Sequence, residues 1–182
     1  MTIPDERALG VTSFWRNAGA EAWFTKDSVF DEEFRCRFLD LHYAAARREL
    51  DAWSSYAEGS LALLILLDQF PRNCFRGTAH MFATDPLARH FADKAIAAGH
   101  DMELEEMLRA FIYLPFEHSE SMEDQERSVA LFTANCPPAL PWAIEHRDII
   151  ARFGRFPHRN PALGRQMTAE EQAFLDGGGF AG

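Results

Sequence analysis

Valine occurs only three times in this 182-residue chain, against 27 alanines and 17 leucines. β-Branched side chains are what a pleated sheet packs, whereas alanine and leucine are strong helix formers. The imbalance excludes an extensive β-sheet and predicts an all-α fold. The length suits one domain with its own core, so a single helical domain over 1–182 is expected, with the glycine-rich tail 177–182 frayed. A 47% hydrophobic and 25% charged composition is ordinary for a globule and excludes collagen-like and disordered classes.

With 28 acidic residues against 18 basic ones, the formal net charge is -10. Long-range repulsion therefore disfavours a nucleic-acid partner. The longest strictly apolar run, Leu61 to Leu67, ends at Asp68. That is far short of the roughly 18–20 residues a membrane span needs. Asp5, Glu6 and Arg7 stand where a secretory signal would carry basic residues, and Cys36, Cys74 and Cys136 lack paired spacing. A reduced, cytoplasmic protein without a disulfide framework, metal set or cofactor is the expectation.

Helix starts are written into the chain. Ser28 with Asp31, Ser121 with Asp124 and Thr168 with Glu171 have capping-box spacing, and Asp85-Pro86 places a carboxylate at a cap with proline at the first helical position. Apolar residues keep helical spacing between them, as at Phe30, Phe34, Phe38, Leu41 and Ala45. The pattern predicts helices near 5–17, 29–50, 60–70, 86–98, 103–114, 122–134, 141–154 and 169–175. The segment 60–70 is apolar nearly all round and should be central. Short loops favour antiparallel hairpins. Phe70-Pro71-Arg72-Asn73 is echoed by Phe156-Pro157-His158-Arg159-Asn160. The echo is either a shared helix-stop solution or paired polar groups at one site.

Sixteen of the 18 basic residues are arginine, whose planar fork suits bidentate pairing with carboxylate or phosphate. Residues 101–126 hold nine acidic side chains against Arg109, whereas 142–165 hold five arginines against Glu145 and Asp148. The arginines either pair internally or, at Arg72, Arg76, Arg155 and Arg159, accept an anion. Glu117, His118 and Glu120 cluster at a helix end. Ala143, His146, Ile150 and Phe153 share a helical stripe that turns His146 toward the apolar side, as a core residue or in a pocket with His118 and His158. Asp148 is spaced to pair with Arg152. HExxH, P-loop, GxGxxG and GxSxG motifs are absent. Trp15, Trp23 and Trp53 lie outside the best periodic stripes; most are expected in the core, with one or two marking an oligomer interface.

The strings LLDQFPRNCFRGTAHMFATDPLA (66–88), FIYLPFEHSESMEDQERSVALF (111–132) and HRDIIARFGRFPHRNPALGR (146–165) resemble the bacterial family catalogued as domain of unknown function 924. The likeness extends to Phe14-Trp15, Trp23-Phe24 and the 30–50 segment. It implies an all-helical fold of stacked hairpins similar to tetratricopeptide repeats, although no 34-residue period is present. It implies no activity. Family motif positions present here are Asp68, Gln69, Arg72, Asn73, Glu117, His118, Glu120, Glu126, Arg127, His146, Arg147, Asp148, His158, Arg159 and Asn160.

The leading expectation is a non-catalytic binding module for a protein segment or small anionic ligand, using Arg72, Asn73, Arg76, His118, His146, Arg155, His158, Arg159 and Asn160. The alternative is a metal-independent hydrolase or transferase. It would use His118 or His146 as base, Glu117 or Glu120 as the carboxylate partner, and Arg159 to hold a negative substrate group. A structural subunit forming a homo-oligomer is the third.

Overall fold

The computed structural model describes residues 4–182, and among these there is no β-strand. Ten α-helices follow one another: α1 Glu6–Trp23, α2 Ser28–Ala46, α3 Ala57–Leu64, α4 Phe70–Cys74, α5 Asp85–Ala97, α6 His100–Glu103, α7 Glu106–Glu117, α8 Met122–Asn135, α9 Leu140–Phe153 and α10 Ala169–Asp176. Short 3-10 turns link several of them. The residues group into two compact units, one of 1–76 with 80–115, the other of 77–79 with 116–182.

In the first unit, α3 continues through a π-helical stretch, Ile65–Gln69, into α4. Every residue from Leu61 to Phe70 is buried. The helix does not stop at Pro71, as the sequence led us to expect. Pro71 has no N–H for the carbonyl of Leu67 or of Leu66, four and five residues back. The π register lets the Phe70 N–H reach Ile65 instead. The carbonyls left over are taken by side chains: His42 Nδ1 donates to Leu66 at 2.8 Å, Thr84 Oγ1 to Leu67 at 2.5 Å and Arg72 Nη1 to Asp68 at 2.7 Å. A buried backbone carbonyl without a partner is costly, so these three contacts tie α2 and the start of α5 to the central segment.

Aromatic rings fill the rest of this core. Trp15 lies 5.3 Å from Phe34 and 5.4 Å, edge-on, from Phe111, and Trp23 donates its indole N–H to the Trp15 carbonyl. Trp15, Trp23 and Trp53 are all buried, as expected for most of them, and none marks an interface; the exposed tryptophan is Trp142, at 59%. In the second unit α8 packs on α9, and Ile149, Ile150 and Phe156 form a core joined by Phe153, Phe174 and Phe180.

The caps differ in detail from their sequence signatures. Thr168 and Glu171 form the expected reciprocal box. Asp27, rather than Ser28, caps α2 by accepting from the N–H groups of Val29 and Phe30. Asp124 accepts from Ser119 Oγ at 2.6 Å rather than closing a box with Ser121. Asp85 turns to Arg72 instead of capping its own helix. At Asp124 and Asp85 another donor takes the oxygen, whereas at α2 the Asp27 carboxylate takes the N–H groups ahead of the Ser28 hydroxyl.

Gly59 shows how tightly α3 is set. A Cβ built there would lie 2.1 Å from the Trp53 carbonyl oxygen. Gly→Ala inside a helix ordinarily stabilises by roughly 0.5–1 kcal/mol. At Gly59 the sign reverses: urea unfolding of Gly59→Ala should show a loss of about 1–3 kcal/mol from overpacking.

Candidate functional site

The singled-out residues of the first unit fall into two polar clusters, one around Arg72 and one around Asp31. Arg72, with a side chain 12% exposed, sits between two buried carboxylates, 3.0 Å from Asp68 Oδ1 and 2.9 Å from Asp85 Oδ1. Burial alone would lower its pKa, but the two facing carboxylates reverse that and raise it. Gln69 donates to the other Asp68 oxygen at 2.7 Å. Asn73 donates to Asp31 at 2.7 Å, and Arg76 approaches the same carboxylate at 3.1 Å. Spacing put these residues one and four positions apart; the Asp31 and Asp85 partners come from other elements and had no local signal.

The second unit gathers the histidines. Residues at the end of α7 are held by Gln125, whose Nε2 donates to the carbonyls of Glu117 at 2.6 Å and Ser119 at 2.7 Å. His146, 5% exposed, projects from α9; its Nδ1 lies 2.9 Å from the Trp142 carbonyl and 3.5 Å from Oε1 of Glu117, itself 4% exposed. A carbonyl only accepts, so Nδ1 carries the proton. The His118 ring centre is 6.3 Å from that of His146. Arg159 stacks its guanidinium 4.4 Å above Phe156 and donates to the His118 carbonyl at 2.9 Å. Next to it, Glu120 accepts from the Phe156 N–H at 2.8 Å and from Arg165 at 2.7 and 2.9 Å. Burial would raise the Glu120 pKa, but Arg165 and the Phe156 N–H outweigh it and hold it below the usual carboxylate range.

The tail expected to fray returns to this cluster. Phe180 places its ring centre 4.5 Å from that of His146 and 5.2 Å from that of His158. Burial of an aromatic face against two imidazoles and the Phe156 core is what holds it. Nothing in the local sequence of GGGFAG announced this. Arg155, by contrast, is engaged by Glu171 at 2.5 and 2.9 Å and donates to the Gln166 carbonyl. Asn160 is fully buried and donates to Met167 Sδ. Asp148 pairs with Arg147 rather than Arg152, which reaches Glu170.

The acidic and basic stretches therefore do meet, through Glu120 and Arg165, while Arg72 and Arg76 belong to the first unit and Arg155 and Arg159 to the second. Two surface grooves of about 400 Å³ each are present, one beside Phe14 and Phe30 and the other beside Ile144, Ile149 and Phe174. None of the candidate site residues lines either.

Removing Arg72 strands two buried carboxylates. Arg72→Leu is expected to lower unfolding stability by about 3–5 kcal/mol, read by urea titration, because breaking a buried pair leaves an uncompensated charge.

Acid should act on the second unit through Glu171. Its hydrogen bonds from Arg155 and from the Thr168 N–H hold the carboxyl pKa down at about 2. A depressed carboxyl contributes stability that is complete above the ordinary value and lost as pH falls toward the folded one. The thermal midpoint should therefore decline from about pH 4.5 to about pH 2. Glu171→Gln should lower the midpoint at neutral pH and make that acid decline shallower.

Comparison with known proteins bears on the family and not on chemistry. The family described as bacterial protein of unknown function (DUF924) matches residues 11–179. A solved structure of a protein of unknown function from Agrobacterium tumefaciens is 57% identical, covers 93% of this chain and 97% of its own, and superposes with a TM-score of 0.91. No curated protein matches. A match over nearly the whole length, with the same all-helical fold, makes this chain a member of the bacterial family DUF924.

Proposed function

We propose that the protein is a non-catalytic binding module whose second unit holds a chain segment bearing one aromatic side chain at the His118, His146 and His158 cluster. The observation that carries this is the resident Phe180, lodged against two of those imidazoles. The backbone around it is made for close approach. A Cβ at Gly179 would fall 2.5 Å from the Phe174 ring, and one at Gly182 would fall 3.0 Å from His158. A segment of small residues around a single ring is thus the shape this surface takes. A cytoplasmic setting and stacked hairpins presenting the site belong to the same proposal.

The small-anion form of the reading has less support. Arg72, Arg76 and Arg155 each direct their guanidinium groups at carboxylates of the chain itself. The catalytic alternative would rest on Glu117 and His146. At 3.5 Å they are in reach of one another, but Nδ1 is shared with the Trp142 carbonyl and the ring is covered by Phe180. Those contacts suit an anchored recognition surface better than a base that must exchange protons with a substrate.

Phe180→Ala in the full chain vacates the ring position without touching the histidines. A fluorescently labelled GGGFAG peptide should then bind saturably and shift the NMR resonances of His146 and His158, whereas GGGAAG should not. The unaltered chain should bind the peptide at least about tenfold more weakly, since its own tail competes at an effective concentration of roughly millimolar order. Equal binding of the two peptides, or no binding to Phe180→Ala, would overturn the reading.

A further inference from the structure

A pair of histidines in the first unit stands outside everything described so far. His42 on α2 and His80 on the 3-10 turn Ala79–Phe82 bring their Nε2 atoms to 3.2 Å of each other across 38 residues of sequence. We propose that His42 and His80 chelate a single divalent transition-metal ion of the zinc class.

Three observations converge on that chemistry. Two imidazole nitrogens bound to one tetrahedral ion at about 2.0–2.1 Å lie roughly 3.3–3.4 Å apart, close to the separation seen here. His42 donates its Nδ1–H to the Leu66 carbonyl at 2.8 Å. That bond places the lone pair on Nε2 and fixes the ring, which is the outer contact a ligating histidine characteristically makes. The Leu66 carbonyl is available because Pro71 offers it no N–H, so the orientation of His42 is built into the central helix. Finally, the buried imidazole is clamped by Phe70, stacked on it at 4.9 Å, with Phe75 at 5.6 Å. His80 is only half buried, so one ligand is rigid and the other lies where an ion can arrive.

Among the described residues no third histidine, cysteine or carboxylate completes the set. The site is therefore open, with its remaining positions left to water or an incoming donor. That distinguishes it from a closed structural zinc centre, where four protein ligands surround the ion. The absence of a local motif follows from the 38-residue separation, since metal signatures are read over short spacings.

The test uses tag-free full-length protein, stripped with EDTA and titrated with Zn²⁺ in an isothermal calorimeter, with Co²⁺ as a spectroscopic probe. One ion per chain is expected. His80→Gln, at the half-buried position, should weaken Zn²⁺ binding by about tenfold or more, since even outer-sphere losses cost 10–100-fold at metal sites. His42→Asn should do the same, provided circular dichroism shows the fold retained; His80→Gln decides the matter if it does not. His90→Gln, at an exposed position of α5, serves as the control and should leave the titration unchanged. No binding by the parent chain, or binding equally strong in His80→Gln, overturns the proposal.

Discussion

Everything in the first unit depends on satisfying the carbonyls of one buried helix. A segment apolar on every face must be covered all round, so α3 and its continuation have no solvent side on which an orphaned carbonyl can find water. Pro71 creates such orphans within that segment. The carbonyls of Leu66 and Leu67 are taken by His42 and Thr84, while the π register gives the Phe70 N–H a partner at Ile65 and Arg72 serves the Asp68 carbonyl. Those side chains are polar groups on α2, before α5 and on α4, so satisfying the carbonyls also fixes helix positions. A proline that would end an exposed helix here specifies the neighbours of a buried one.

The same reasoning explains why the arginines look functional in the sequence and structural in the fold. Arg72 answers three needs at once, the Asp68 carbonyl and the carboxylates of Asp68 and Asp85. A guanidinium has five N–H donors in a fixed fork, and lysine would serve only part of this array. Arg165 does comparable work on Glu120 and the Phe156 carbonyl. The excess of arginine over lysine in this chain is thus what a set of fixed, partly buried carboxylates and carbonyls requires. Such networks fix helix register as readily as they bind a ligand.

How much of this was legible divides along locality. The helical class, most helix boundaries, the centrality of 60–70 and the inward turn of His146 all follow from patterns within one or two turns. Periodicity misjudged the end of that central helix because Pro71 is compensated by residues 24 and 17 positions away from the carbonyls they serve, His42 and Thr84. It placed Ser28 rather than Asp27 at a cap, and read a closed box at the true cap Ser121, because spacing cannot say which of several nearby oxygens reaches a free N–H first. The histidine cluster was half legible. His118, His146 and His158 were marked by their motifs, while Phe180 sits in a run of glycines whose composition alone argues for disorder. Only the presence of a ring-sized apolar surface elsewhere in the fold makes that run settle.

The two histidines most deeply set, His42 and His146, share a device that gives each unit its chemistry. Each donates Nδ1–H to a helix carbonyl, Leu66 in one case and Trp142, one turn back in the same helix, in the other. The carbonyl fixes the proton on Nδ1, which directs Nε2 away from the helix. Burial pushes the pKa of His42 below its ordinary value, outweighing the opposing hydrogen bond to the Leu66 carbonyl. What differs is what lies around the ring. His146 is covered by Phe180 and borders Glu117, so its face is the useful surface and an aromatic segment is its natural companion. His42 points its edge at a second imidazole and accepts the His80 Nε2–H at 3.2 Å, a proton whose place a metal ion would take. One backbone device, placed against different neighbours, thus sets up recognition by a ring face in one unit and coordination by a ring edge in the other.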